Sequence, residues 1–162
     1  MLRSVARTGT RRCIRRMSSV AADDAQLRRR LLTAALPMVP RHGWTTDALA
    51  AAAEECGLAA TAHGALPRGP IELVRHFGAT CDDELRDALR LRKEEMRPLE
   101  THNRLILAIQ MRLRKLEPYV ETWPQALALR AVPANLAESL SDAEATATIL
   151  LDACGDEGAQ PI

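Results

Sequence analysis

The chain has 162 residues, room for one domain with a real core and a short extension. Apolar residues make up 47% but aromatics only 2%, and the apolar content is mostly Ala and Leu. Helix formers therefore dominate, strand formers are scarce, and all-α is the expected class. The formal net charge is +1 but uneven: residues 1–20 hold six Arg and no acid, leaving 16 basic against 21 acidic residues elsewhere. A mildly acidic body argues against affinity built on phosphate-backbone contacts.

Residues Met1–Val20, MLRSVARTGTRRCIRRMSSV, are Arg-rich, contain Ser and Thr, and lack the continuous apolar run of a secretory signal. That is the composition of a mitochondrial transit peptide. Coiled as a helix, Leu2, Val5, Ala6, Cys13, Ile14 and Met17 would share an apolar side against the arginines, suited to an anionic membrane. A basic arm for nucleic acid is the alternative. Residues 1–20 are set apart from the fold, with cleavage expected near Ser18–Ala22. No stretch reaches 18 uninterrupted apolar residues, so any membrane contact would be peripheral.

The spacing of Leu27, Leu31, Ala35 and Met38 predicts a helix over 23–39, capped by Asp23 or Asp24 and stopped at Pro40. Thr45 or Thr46 caps a second helix carrying Ala48, Leu49, Ala52, Ala53 and Cys56, with Gly57 at its end. A short third helix is expected over 59–66. Pro70 then opens a fourth, in which Ile71, Val74, Phe77, Cys81, Leu85 and Leu89 recur at helical spacing. That helix could run to about Met96 or break near Gly78. A fifth is expected over 102–116, on Leu105, Ile109 and Leu113. Pro124 opens a sixth to about Arg130, and Asn135 caps a last helix ending at Gly155. Residues 156–162 form a polar tail.

Four cysteines, Cys13, Cys56, Cys81 and Cys154, form no CxxC pair, and His42, His63, His76 and His102 have no ligand spacing. Cys56 and Cys81 read as buried free thiols. No nucleophile elbow, Walker loop, HExxH or paired-carboxylate pattern is present, so no catalytic residue, metal or cofactor is expected. In a chain so poor in aromatics, Trp44, Phe77, Tyr119 and Trp123 draw notice. Trp44 reads as a staple onto the second helix. Tyr119 and Trp123, at a kink between helices, read as core anchors or as the wall of an apolar cavity, together with Leu116, Leu127 and Leu129. Arg112 and Arg114 read as solvated charges, with headgroup contact as the alternative.

Residues 45–77, TTDALAAAAEECGLAATAHGALPRGPIELVRHF, resemble the helix-turn-helix of TetR-type repressors. In those proteins the short helix enters the major groove. Here its counterpart, 59–66, holds no Arg, Lys, Asn or Gln to read base edges. Three stretches narrow the likeness: LLTAALPMVPRHGWTTDALAAAAEECGL (31–58), ALPRGPIELVRHF (65–77) and MRLRKLEPYVETWPQALALRAVPANL (111–136). In this order they resemble the mitochondrial ubiquinone-biosynthesis family known as coenzyme Q biosynthesis protein nine, across about 27–156.

The resemblance implies a TetR-like helical bundle and a non-enzymatic homodimer on the matrix side of the inner mitochondrial membrane. It implies binding of isoprenoid quinone intermediates or phospholipid in an apolar cavity, and their presentation to the demethoxyubiquinone hydroxylase. A polyprenyl tail, at roughly 25 cal/mol per Å² of apolar surface, does not cross water unaided. The expected division is a helix-turn-helix-like unit over 23–77 and a partial lipid-binding and dimerisation region over 78–155. The candidate lipid contacts are Leu116, Tyr119, Trp123, Leu127 and Arg112. Family members continue past the Ala153-Cys154-Gly155-Asp156 point with a Trp-Tyr-Thr-Arg/Lys stretch and further helices, whereas this sequence ends at Ile162. A truncated form or a reduced paralogue is expected, with apolar surface left exposed on the last helix. The alternatives are a TetR-type DNA-binding regulator and a structural dimerisation module without lipid delivery.

Overall fold

The computed structural model describes residues 23–155; the presequence assigned to 1–20 and the tail at 156–162 lie outside them. The described chain is all-α, with no strand among its residues. It runs as α1 (23–35), a 3-10 turn Leu36–Met38, α2 (Val39–His42), α3 (Thr46–Glu55), a 3-10 segment Ala60–Ala65, and α4 (Pro70–Leu91). Then follow α5 (Lys93–Met96), α6 (Thr101–Arg114), a 3-10 turn Glu117–Tyr119, α7 (Trp123–Ala131) and α8 (Pro133–Ala153).

The breaks follow backbone chemistry. The first helix gives way at Pro37, which has no N–H for the α ladder, and not at Pro40 as the sequence suggests. Pro40 instead sits in the first turn of α2, where a missing N–H costs nothing. The chain turns at Gly43, at φ +69°, with its N–H on the Val39 carbonyl at 2.8 Å. Thr45 is the N-cap of α3, yet its hydroxyl donates back to the His42 carbonyl at 2.8 Å. The expected third helix is a short 3-10 segment that runs through Gly64 and has no fully buried residue. α4 runs unbroken through Gly78, which is buried in its inner face. The last helix opens at Pro133, two residues before the expected cap. Asn135 lies in its first turn and donates from Nδ2 to the Leu129 carbonyl at 2.9 Å.

The core is lopsided. All but four of the buried apolar residues come from 23–96, chiefly Leu31, Ala35, Val39, Trp44, Ala48, Leu49, Leu73, Val74 and Phe77. The second half contributes Ala108, Ala126, Ile149 and Cys154, and its α8 packs on α4, α6 and α7. The outer faces of that half carry Ile106, Ile109, Leu113, Leu127, Leu136, Leu140 and Leu151, between 37% and 63% exposed.

Candidate functional site

The chain's four aromatic residues form one cluster. Trp44 lies 5.5 Å from Phe77, 5.7 Å from Tyr119 and 5.9 Å from Trp123, between ring centroids. Phe77 is 4.8 Å from Tyr119 and 5.8 Å from Trp123. The tilted and edge-on arrangements bring ring edges to ring faces, the favourable geometry for such pairs. Trp44 and Phe77 are buried; Tyr119 and Trp123 cover them from the α6–α7 kink. Burial is also the leading reason why the Tyr119 phenol is held above its ordinary pKa.

Gln125 locks this junction. Its Oε1 accepts the Trp44 backbone N–H at 3.1 Å, across 81 residues of sequence. A Cβ at position 43 would collide with the same Gln125 side chain. Gly43 is thus required by its positive φ and by the close approach of Gln125. The Gly-Trp-Thr turn and the Trp-Pro-Gln-Ala-Leu stretch, read separately in the sequence, are two halves of one contact.

The five candidate lipid contacts do not share one environment. Leu116, Tyr119 and Trp123 pack on the core as partly buried side chains. Leu127 is 52% exposed on the outer face of α7. Arg112 turns inward, only 15% exposed, where the sequence suggested a solvated charge. Its Nε donates to Asp82 Oδ1 at 2.8 Å, and Asp82 Oδ2 accepts the Thr146 hydroxyl at 2.7 Å. Asp82 therefore ties α4 to both α6 and α8.

A more exposed polar seam continues along α4 and α8. Arg75 donates to both carboxylate oxygens of Asp142, at 3.1 and 3.2 Å, and also to Glu138, which Arg68 reaches as well. Hydrogen bonding to Arg68, then the charge of Arg75, holds the Glu138 carboxyl below its ordinary range. Sequence reasoning missed Asp82, Gln125 and this seam. The available signal for Asp82 was its place on the inward face of α4, one turn after Gly78 and one before Leu85.

Two clefts open on the second half. One, of about 190 Å³, lies between α4, α7 and α8 and touches Arg112 and Trp123. The other, about 830 Å³, lies beside α5 and the end of α8; its apolar residues include Leu89, Met96 and Ile149, and its basic ones Arg86, Arg90, Lys93, Arg97 and Arg104. Among the described residues no group of His, Cys, Asp or Glu could hold a metal ion, and no helix is long and apolar enough to cross a membrane.

Fold and site together define an all-α protein whose first half packs around a two-segment aromatic junction. Residues 24–54 match the family described as ubiquinone biosynthesis protein COQ9, N-terminal domain. The mitochondrial ubiquinone biosynthesis protein COQ9 of Homo sapiens is 38% identical over 126 residues, 73% of this chain and 39% of the relative. COQ9-B of Xenopus laevis is 37% identical over 141 residues, 83% of this chain and 47% of the relative. The Drosophila melanogaster protein is 36% identical over 143 residues, 82% and 42% respectively. Over this shared span the chain resembles the COQ9 family, and it covers less than half the length of these relatives.

Proposed function

We propose that this chain is a non-enzymatic, lipid-binding accessory protein of ubiquinone biosynthesis, built on a TetR-like helical scaffold. In this reading it binds isoprenoid quinone intermediates or phospholipid and presents them to the demethoxyubiquinone hydroxylase. It acts as a homodimer in peripheral contact with the matrix side of the inner mitochondrial membrane, after loss of residues 1–20. The helix-turn-helix-like unit at 23–77 serves as scaffold, and the region 78–155 carries the lipid and dimer contacts.

The observation that carries this reading is the apolar surface of α6–α8. Ile106, Ile109, Leu113, Leu136, Leu140 and Leu151 face outward on the elements that follow the compact first half. Lipid or a second subunit would cover these side chains on α6 and α8. The relatives' names add the pathway and the organelle. The duplex-binding alternative draws no support from Ala60–Ala65, which holds no Arg, Lys, Asn or Gln to read a base edge.

The test is extraction of the purified chain, followed by mass spectrometry of the organic phase. Isoprenoid quinones or phospholipids retained in stoichiometric amount are expected. Folded, dimeric and persistently lipid-free protein would overturn lipid binding and favour the dimerisation-module reading.

A further inference from the structure

The smaller cleft has a charge left over. Its walls carry four arginines, and three of them are matched. Arg75 pairs with Asp142 at 3.1 Å, Arg86 with Asp83 at 2.6 Å, and Arg112 with Asp82 at 2.8 Å. The fourth, Arg130 at the end of α7, pairs with no acid among the described residues, and its Nε is buried without a hydrogen-bond partner. Its Nη2 rests over Gly78, 3.0 Å from where a Cβ would stand, so the missing side chain at 78 is what admits the guanidinium to the cleft floor.

A partly buried guanidinium whose Nε has neither water nor a countercharge is unfavourable, and its planar fork matches the oxygens of phosphate and carboxylate. The cleft, about 190 Å³, lies below the roughly 300–1,000 Å³ of pockets that enclose drug-sized ligands. It accommodates a tetrahedral oxyanion with some hydration and is far too small for a polyprenyl chain. The mouth is exposed at Arg86 and Asp83, so such a group can enter from solvent or from a surface.

We propose that the cleft between α4, α7 and α8 binds a phosphoryl-class oxyanion, with Arg130 as its principal ligand. This goes beyond the lipid-accessory reading and does not depend on it, since the same chemistry arises from free phosphate or from a lipid phosphomonoester. The full chain is titrated with inorganic phosphate at constant ionic strength by calorimetry. In parallel it is floated with phosphatidylcholine vesicles, with and without phosphatidic acid.

Binding to at least one phosphoryl source is expected, weakened about tenfold or more by Arg130→Gln, the loss of one charge-assisted contact. Binding of phosphate itself identifies a soluble ligand; binding only of phosphatidic acid vesicles identifies a headgroup. Should Arg130→Gln fail to fold, Arg130→Met decides: it keeps the apolar stem that packs in the cleft and removes only the charged fork. Absence of binding to both sources overturns the proposal. So does binding by the deciding variant within about twofold of the parent, a difference far smaller than one charge-assisted contact supplies.

Discussion

Two arginines of unequal exposure, Arg112 and Arg75, make the cost of a single side chain concrete. Asp82 and Arg112 are 10% and 15% exposed, whereas Arg75 and its partners Glu138 and Asp142 are 28% to 44% exposed. Removing one member of a buried pair strands the other, whereas half-solvated pairs lose most of their attraction to water and salt. Asp82→Ala should therefore destabilise the fold by about 3 kcal/mol in urea titrations. Arg75→Ala should cost no more than about 1 kcal/mol, and that effect should shrink with added salt.

His76 carries a separate pH signal. Its Nε2 lies 3.1 Å from the Thr33 hydroxyl, joining α4 to α1, and burial, with Arg29 second, holds its pKa below the ordinary 6.5. The folded state thus resists a proton that the unfolded chain accepts, so stability is full above 6.5 and declines as pH falls below it. The midpoint of thermal unfolding should fall between pH 7.5 and 5.5, values chosen about one unit either side of that pKa. The fall should be shallower in His76→Gln.

At the scale of the element, the junction between α2, α3 and α7 is the sharpest test. Gly43→Ala imposes a left-handed backbone on a residue with a Cβ and drives that Cβ into Gln125. A loss of about 2 kcal/mol is expected from strain and crowding together. Gln125→Ala removes the crowding but orphans the Trp44 N–H. The double variant should therefore cost less than the sum of the two singles, and a thermodynamic cycle measures the difference.

The same elements show where the sequence was legible. Apolar residues at 71, 74, 77, 81 and 85 sufficed for α4, because helical periodicity is local and its buried face is continuous. Proline positions signalled the interruptions but not which side of each proline the ladder survives, hence the early end of α1 and the early start of α8. The inward turn of Arg112 depends on an acid 30 residues away, and the Gly43–Gln125 contact on two stretches whose convergence no local pattern encodes. Of the candidate contacts, Tyr119 and Trp123 stood out through rarity alone. Gln125, an ordinary polar residue, gave no such signal.

For the molecule as a whole, the uneven core sets the expectation. The first half buries Leu, Val, Trp and Phe around a common centre, while α6–α8 bury little beyond Ala108, Ala126, Ile149 and Cys154. Leu136 and Leu140, 47% and 63% exposed, lie one turn apart on the outer face of α8. Replacing both by Gln should reduce self-association or lipid retention, read by sedimentation and by extraction. It should change unfolding free energy by less than about 0.5 kcal/mol, because neither side chain loses much burial.

Both tryptophans of the protein sit in the single aromatic cluster, within 5.9 Å of each other. Intrinsic emission of this chain therefore watches one junction and nothing else. The C-terminal helices could loosen, or settle onto a guest, while the tryptophan spectrum stays still and far-ultraviolet dichroism shifts. Melting curves from the two optical signals should separate wherever the halves of the molecule let go independently, and their coincidence would mark the bundle as one cooperative unit.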